Sequence, residues 1–336
     1  MRDWALQRSW TILLSAVLAA SFVFNLAQSD GYLGVDNFVN LFELSIEKVI
    51  VVIVMAFVII AGEIDLSVAS VMGFAACLVA ALHERSGLPF GLVLVIALAV
   101  SACVGLFQGL VITKLELPSL VVTLAGLIAW RGAARILVED RSVGDYPGWF
   151  TSLGQDDLLG PLPFAILLFI GMFAIASVIL HRSEFGRYVY VIGDNSDVAR
   201  YSGIKVDVVR ISLFVSSSLI AGLAGILFAA RLGTARGDLA NGFELEVITI
   251  VLLGGVSIFG GSGRMSGVAL AILIVLNIRN GLGLAGVDGT TQVGVIGVIL
   301  IASVLIQNVL VRIQPRIQPP IQRGAVETPT SAASGA

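Results

Sequence analysis

The sequence predicts an all-α, polytopic integral membrane protein with about ten transmembrane helices. Three observations carry that expectation. Of the 336 residues, 57% are apolar and the mean hydropathy is +0.98. Only 13% are charged, about half the usual share of roughly 25% for a soluble domain. The apolar residues fall in runs near the roughly 20 residues a helix needs to cross the hydrocarbon layer. Such a chain has too little polar surface to cover a water-soluble core. A soluble enzyme, a nucleic-acid binder and a disordered protein are therefore excluded together. The net charge of -3 and the 37 glycines agree, the latter suiting closely packed membrane helices.

Ten spans read off the chain in order: 10–28, 44–62, 66–83, 90–112, 118–137, 161–180, 208–230, 245–260, 265–282 and 291–311. The runs are too long and too uniformly apolar for a membrane barrel. The first follows Arg2 and Arg8, as a cleaved signal peptide would. Its apolar run exceeds an ordinary signal core and further spans follow, so a retained helix with its N-terminus inside is the better reading. The second and third spans are divided by Gly62-Glu63-Ile64-Asp65, a break that could also be re-entrant. The fourth holds Gly105 and Gly109, spaced for helix contact. Two long polar stretches remain, 138–160 and 181–207. Residues 1–312 form one membrane domain. The Pro-, Gln-, Ser- and Ala-rich 313–336 reads as a disordered cytoplasmic tail.

Lysine and arginine set the orientation. With the N-terminus inside, twelve fall on the cytoplasmic side and seven outside, with Lys48 left near a helix end. The stretch 181–210 decides the matter, holding Arg182, Arg187, Arg200, Lys205 and Arg210. Both termini are then cytoplasmic.

Few residues suggest chemistry. Cys77 and Cys103 lie in apolar runs, and His83 and His181 are far apart, so neither a disulfide framework nor a metal spacing exists. Gly281-x-Gly283-x-x-Gly286 matches a dinucleotide fingerprint by letter only, because it follows a membrane helix and not a strand. No Gly-Lys-Ser/Thr occurs, so the chain should not bind ATP itself. In the inner stretch, Asn195 or Ser196 can cap a short helix and Gly203 can close it. The alternative is an ordinary solvated loop. Glu63 and Asp65 admit a polar gate on a solute path, since acidic groups within a bilayer usually face a cavity or a partner. The reading favoured by the topology is a solvated cytoplasmic turn with Asp65 capping the next helix and Ser67 nearby. The run 254–263, with Gly254, Gly255, Gly260, Gly261 and Gly263, reads as tight packing with a short turn, as a hinge, or as both.

Several of these segments resemble one family. Glu184-Phe185-Gly186-Arg187, then Gly193 and Asn195, then Ala199-Arg200, Ser202, Gly203 and Ile204 resemble the coupling loop of ATP-binding-cassette (ABC) importer permeases of the ribose, rhamnose and autoinducer-2 type. Ile64-Asp65-Leu66-Ser67, Gly233 to Arg236 with Glu244 to Glu246, and Leu253 to Gly263 are similar to other runs of that family. The matches are ordered and cover 45–308. Glu63 departs from the pattern, which has glycine there.

The resemblance implies a non-enzymatic permease in a bacterial inner membrane. Its partners would be an ABC ATPase subunit binding ATP and Mg, a second permease chain (the same or related), a periplasmic solute-binding protein, a sugar-like solute and membrane lipid, with no nucleic acid. Glu184 to Ile204 would carry the push from the ATPase. Glu63, Asp65, Ser67, Thr123, Arg131, Asn277 and the glycines 254, 255, 260 and 261 would line or gate the path. Arg131 and Trp130 also read as interface anchors. The motifs do not name the sugar and lean slightly toward the rhamnose or autoinducer-2 branch. A parallel between spans 2–4 and 8–10 is suggested by inner breaks at Gly62 and at Gly260 to Gly263. An ion-coupled carrier, with Glu63 and Asp65 as its acidic pair, is the rival from another class. A membrane-embedded enzyme lacks a convincing constellation.

Overall fold

The computed structural model describes residues 2–28, 32–43 and 45–313. The tail expected over 313–336 lies, from 314 onward, outside them. Among the described residues, seven helices are long and apolar enough to cross a membrane. They are α1 (Arg2–Gln28, through its segment Trp10–Gln28), α4 (Val68–Ser86), α5 (Phe90–Lys114), α6 (Ser119–Val138), α8 (Phe164–Arg182), α11 (Val206–Leu232) and α13 (Met265–Leu284). A short α2 (Val35–Glu43) follows α1.

Seven such helices thus stand among the described residues where the sequence predicts about ten spans. The span expected at 44–62 is α3 (Ile46–Ile60), with 15 residues. That expected at 245–260 is α12 (Phe243–Leu253), with 11. At 1.5 Å per residue these reach about 22 Å and about 16 Å, short of the ~30 Å hydrocarbon layer. The last expected span is α14 (Gly289–Ile313). The apolar letters after Leu253 mislead because the backbone breaks: Gly254 ends the helix and Gly255 turns to φ 82°.

Every residue of α3 is buried, Glu47 and Lys48 of its first turn included, and from Val49 on the helix is apolar all round, as suits the centre of a bundle. Helices α8, α11 and α12 pack around it. Helix α11 also packs along α4 and α5. At Gly105, an added Cβ would overlap the Phe214 carbonyl oxygen, and at Gly109 it would lie 3.0 Å from the Ile211 Cα. The expected small-residue seam is therefore the contact of α5 with α11.

One end of the molecule, hereafter the hairpin end, carries two small antiparallel strand pairs that an all-α class omits. Strand β1 (Val143–Gly144) pairs β4 (Thr234–Ala235), and β2 (Asp157–Leu159) pairs β3 (Leu162–Pro163). Helix α7 (Gly148–Gln155) lies between them in sequence. Phe90 anchors this end, its ring 4.8 Å from that of Phe150 and 5.9 Å from that of Tyr146. Ion pairs between helices also gather at this end. Arg231 meets Glu47 at 2.7 Å, and Glu246 takes Lys48 at 3.0 Å and Arg279 at 2.6 Å. Lys48, unassigned in the sequence, is thus a buried clasp from α3 to α12.

The opposite end carries two helices where the sequence suggests one. Helix α9 (Glu184–Asp194) leads directly into α10 (Ser196–Tyr201).

Candidate functional site

The α9–α10 pair is built by its caps. Ser183 Oγ accepts the Gly186 N–H at 3.1 Å and starts α9. Gly186 lies so close to the end of α8 that a Cβ there would overlap the Leu180 carbonyl oxygen. Phe185 packs against the core, while Glu184 and Arg187 stay exposed. Asn195 Oδ1 then accepts the N–H groups of Asp197 and Val198 at 2.9 and 3.0 Å, satisfying two otherwise orphaned donors of α10. Gly203 at φ 83° closes the helix. Its N–H reaches the Arg200 carbonyl at 3.1 Å, and the Ile204 N–H reaches that of Ala199, also at 3.1 Å. Ser202 Oγ donates to the Val198 carbonyl. Arg200 pairs with Asp207 at 3.1 Å, tying α10 to the start of α11. Ala199 faces inward, whereas Tyr201 is 94% exposed and Val198 54%.

The end of α9 is wedged between the two breaks that follow α3 and α12. At Gly193 a Cβ would overlap the Ile60 carbonyl oxygen and lie 2.6 Å from the Gly261 nitrogen. The breaks touch one another there: the Gly261 N–H donates to the Ile60 carbonyl at 2.9 Å. A Cβ at Gly260 would come within 2.8 Å of the Gly62 Cα. Tyr190 on α9 donates its hydroxyl to the Gly263 carbonyl at 2.8 Å. Gly254 lies against Gly267 and Val268 at the start of α13, and Gly255 lies against the Trp10 indole of α1. The glycine run is thus both a packing surface and a turn.

The stretch Glu63 to Ser67 is not the solvated turn favoured from the sequence. Asp65 is fully buried, and Glu63 nearly so. The cause is tertiary: α5, α6 and α11 cover the break, which spacing along the chain does not reveal. Asp65 Oδ1 accepts the Ser67 N–H at 2.9 Å and the Ser67 hydroxyl at 2.6 Å, while Oδ2 accepts the Ser217 hydroxyl at 2.7 Å. Ser67, not Asp65, holds the cap position of α4. Gln108 Nε2 donates to Ser67 Oγ at 3.0 Å. Thr123 Oγ1 donates to the Ile64 carbonyl, and the Ile64 N–H reaches Ser119 Oγ. Glu63 pairs with Arg210 at 2.8 Å. The polar groups of the break therefore bind one another, stapling it to three helices.

The remaining path residues are also engaged. Asn277 accepts from Tyr32 and from Asn25 Nδ2 and donates to Ser21 Oγ at 2.8 Å, so it fastens α13 to α1. Arg131 pairs with Glu244 at 3.4 Å, joining α6 to α12. The sequence reading missed Gln108, Ser217 and Arg210 as partners of the break. The signal was present in the first two, since a glutamine or a serine triplet inside an apolar helix marks a polar contact.

Residues 37–304 match the family described as branched-chain amino acid transport system / permease component. The ribose import permease protein RbsC of Haemophilus influenzae is 29% identical over 309 residues, covering 90% of this chain and 93% of the relative. The autoinducer 2 import system permease protein LsrD of Escherichia coli K12 is 33% identical over 266 residues, covering 77% of this chain and 80% of the relative. LsrD of Shigella flexneri matches equally. No solved structure matches.

Proposed function

The chain belongs to the branched-chain amino acid transport system / permease component family, and from that premise we propose that it is the permease subunit of an ABC importer for a monosaccharide-like solute. The relatives named for ribose and autoinducer 2 import support that solute class. The bias of lysine and arginine puts the α9–α10 end and both termini in the cytoplasm and the hairpin end outside. Helices α3 and α12, each extended by its break, together with α14 complete a set of ten membrane segments. A periplasmic binding protein delivers solute at the hairpin end. A second permease chain completes the path, and a separate ATPase subunit binds ATP and Mg.

The single observation that carries the mechanism is Gly193 seated between Ile60 and Gly261. An ATPase subunit bearing on α10 moves α9, because only Asn195 separates them. The end of α9 touches both breaks at once, so one displacement reaches the inner ends of both α3 and α12. That is how a rigid-body motion outside the bilayer reaches the path inside it. The staples at Asp65, Gln108 and Ser217 pass the motion on to α4, α5 and α11.

The test is Gly203→Val in the reconstituted complex. A β-branched residue in the left-handed region costs roughly 1–2 kcal/mol, while a Cβ there meets open space. Insertion and assembly should persist, solute uptake should fall, and ATPase activity should no longer respond to solute-loaded binding protein. Normal uptake in this variant would remove α10 from the mechanism.

A further inference from the structure

The second break ends in a turn that holds an aromatic side chain away from the protein. Ser257 N–H donates to the Ser262 carbonyl at 3.0 Å, and Gly260 N–H to the Ser257 carbonyl, also at 3.0 Å. The Phe259 N–H reaches Ser257 Oγ at 3.2 Å, and Gly261 is tied to Ile60. On this fixed turn Phe259 is 89% exposed and Ile258 48%. The turn abuts the root of α10, since a Cβ at Gly261 would lie 3.0 Å from the Asp194 Cα, one residue before the Asn195 cap. Two apolar projections therefore adjoin at one end of the molecule: Val198 and Tyr201 from α10, and Ile258 and Phe259 from the turn.

We propose that the turn 257–262 is a second docking point for the ATPase subunit, with Phe259 as its anchor. The inference rests on the reading that α10 docks that subunit, because continuity with α10 is what names the occupant. An aromatic on a preorganised turn loses little conformational freedom on binding, and buried aromatic anchors carry a large share of interface energy. The consequence goes beyond affinity. The ATPase subunit then bears directly on the break after α12 as well as on α9, and holds both sides of the Gly193 wedge.

The photoreactive residue p-benzoyl-phenylalanine, placed at position 259 or at position 198 of the complete complex in lipid vesicles, tests this. Both positions should give adducts with the ATPase subunit on illumination. Adducts from 198 with only lipid or permease adducts from 259 would overturn the second docking point and leave α10 in place. No ATPase adduct from either position would overturn the reading of α10 along with it. As an independent measure, Phe259→Ala should weaken retention of the ATPase subunit roughly tenfold or more, with an unchanged melting temperature of the permease alone. Undiminished retention in a folded Phe259→Ala variant would equally overturn the proposal.

Discussion

At Gly193 the backbone of α9 lies so near Ile60 and Gly261 that one added methyl must displace main-chain atoms. Gly193→Ala should therefore lower uptake in the reconstituted complex severalfold. Gly91→Ala, where a Cβ meets open space inside a helix, should leave uptake unchanged and stability equal or slightly raised. Equal uptake in the two variants would show that the close approach does not matter. Asp65 gives a second residue-scale expectation. Asp65→Ala strands the Ser67 N–H and the Ser217 hydroxyl, both on buried residues, and an orphaned buried donor costs about 1–3 kcal/mol. Thermal unfolding in detergent should show a clear loss for Asp65→Ala and a smaller one for Asp65→Asn, which keeps an acceptor. These residues show where the sequence stops being legible. Asp65 announces a turn, but its depth is set by Ser217, 152 positions away. No local pattern carries that distance.

At the scale of elements, the long helices were legible because twenty apolar residues have few other uses. The ends of α3 and α12 were not, since apolar letters run on past the point where glycine turns the backbone. Helix α9 was missed for a related reason: Gly186 and Gly193 read as loop residues, yet both are there to let backbones touch. Helix α10 was legible through Asn195 and Gly203, whose capping chemistry is local. The clasp of α3 to α11 makes a testable element. Glu47 is 1% exposed at its side chain and Arg231 16%, with 2.7 Å between them. Removing one partner of such a pair strands a buried charge, at about 3–5 kcal/mol. Glu47→Gln should lower the melting temperature markedly, whereas the double variant Glu47→Leu with Arg231→Met should recover much of it. A double variant no more stable than the single would mean the pair does more than neutralise charge.

For the whole molecule, the decisive fact is that two breaks, one after Ile60 and one after Leu253, come together in space. The sequence set Gly62 parallel to Gly260 through Gly263 but gave no sign that they touch, because the junction is made by main-chain atoms. Side-chain letters describe what lies around it, namely Tyr190, Gly193 and Asp194. The same junction supplies a built-in reporter. The Gly261 amide proton is shielded only while Ile60 accepts it, so its isotope exchange should be slow at rest and quicken during turnover with ATP. Mass spectrometry of a peptide spanning that position would then time the opening stroke without any attached label. Constant protection through turnover would mean that the two segments travel as one piece.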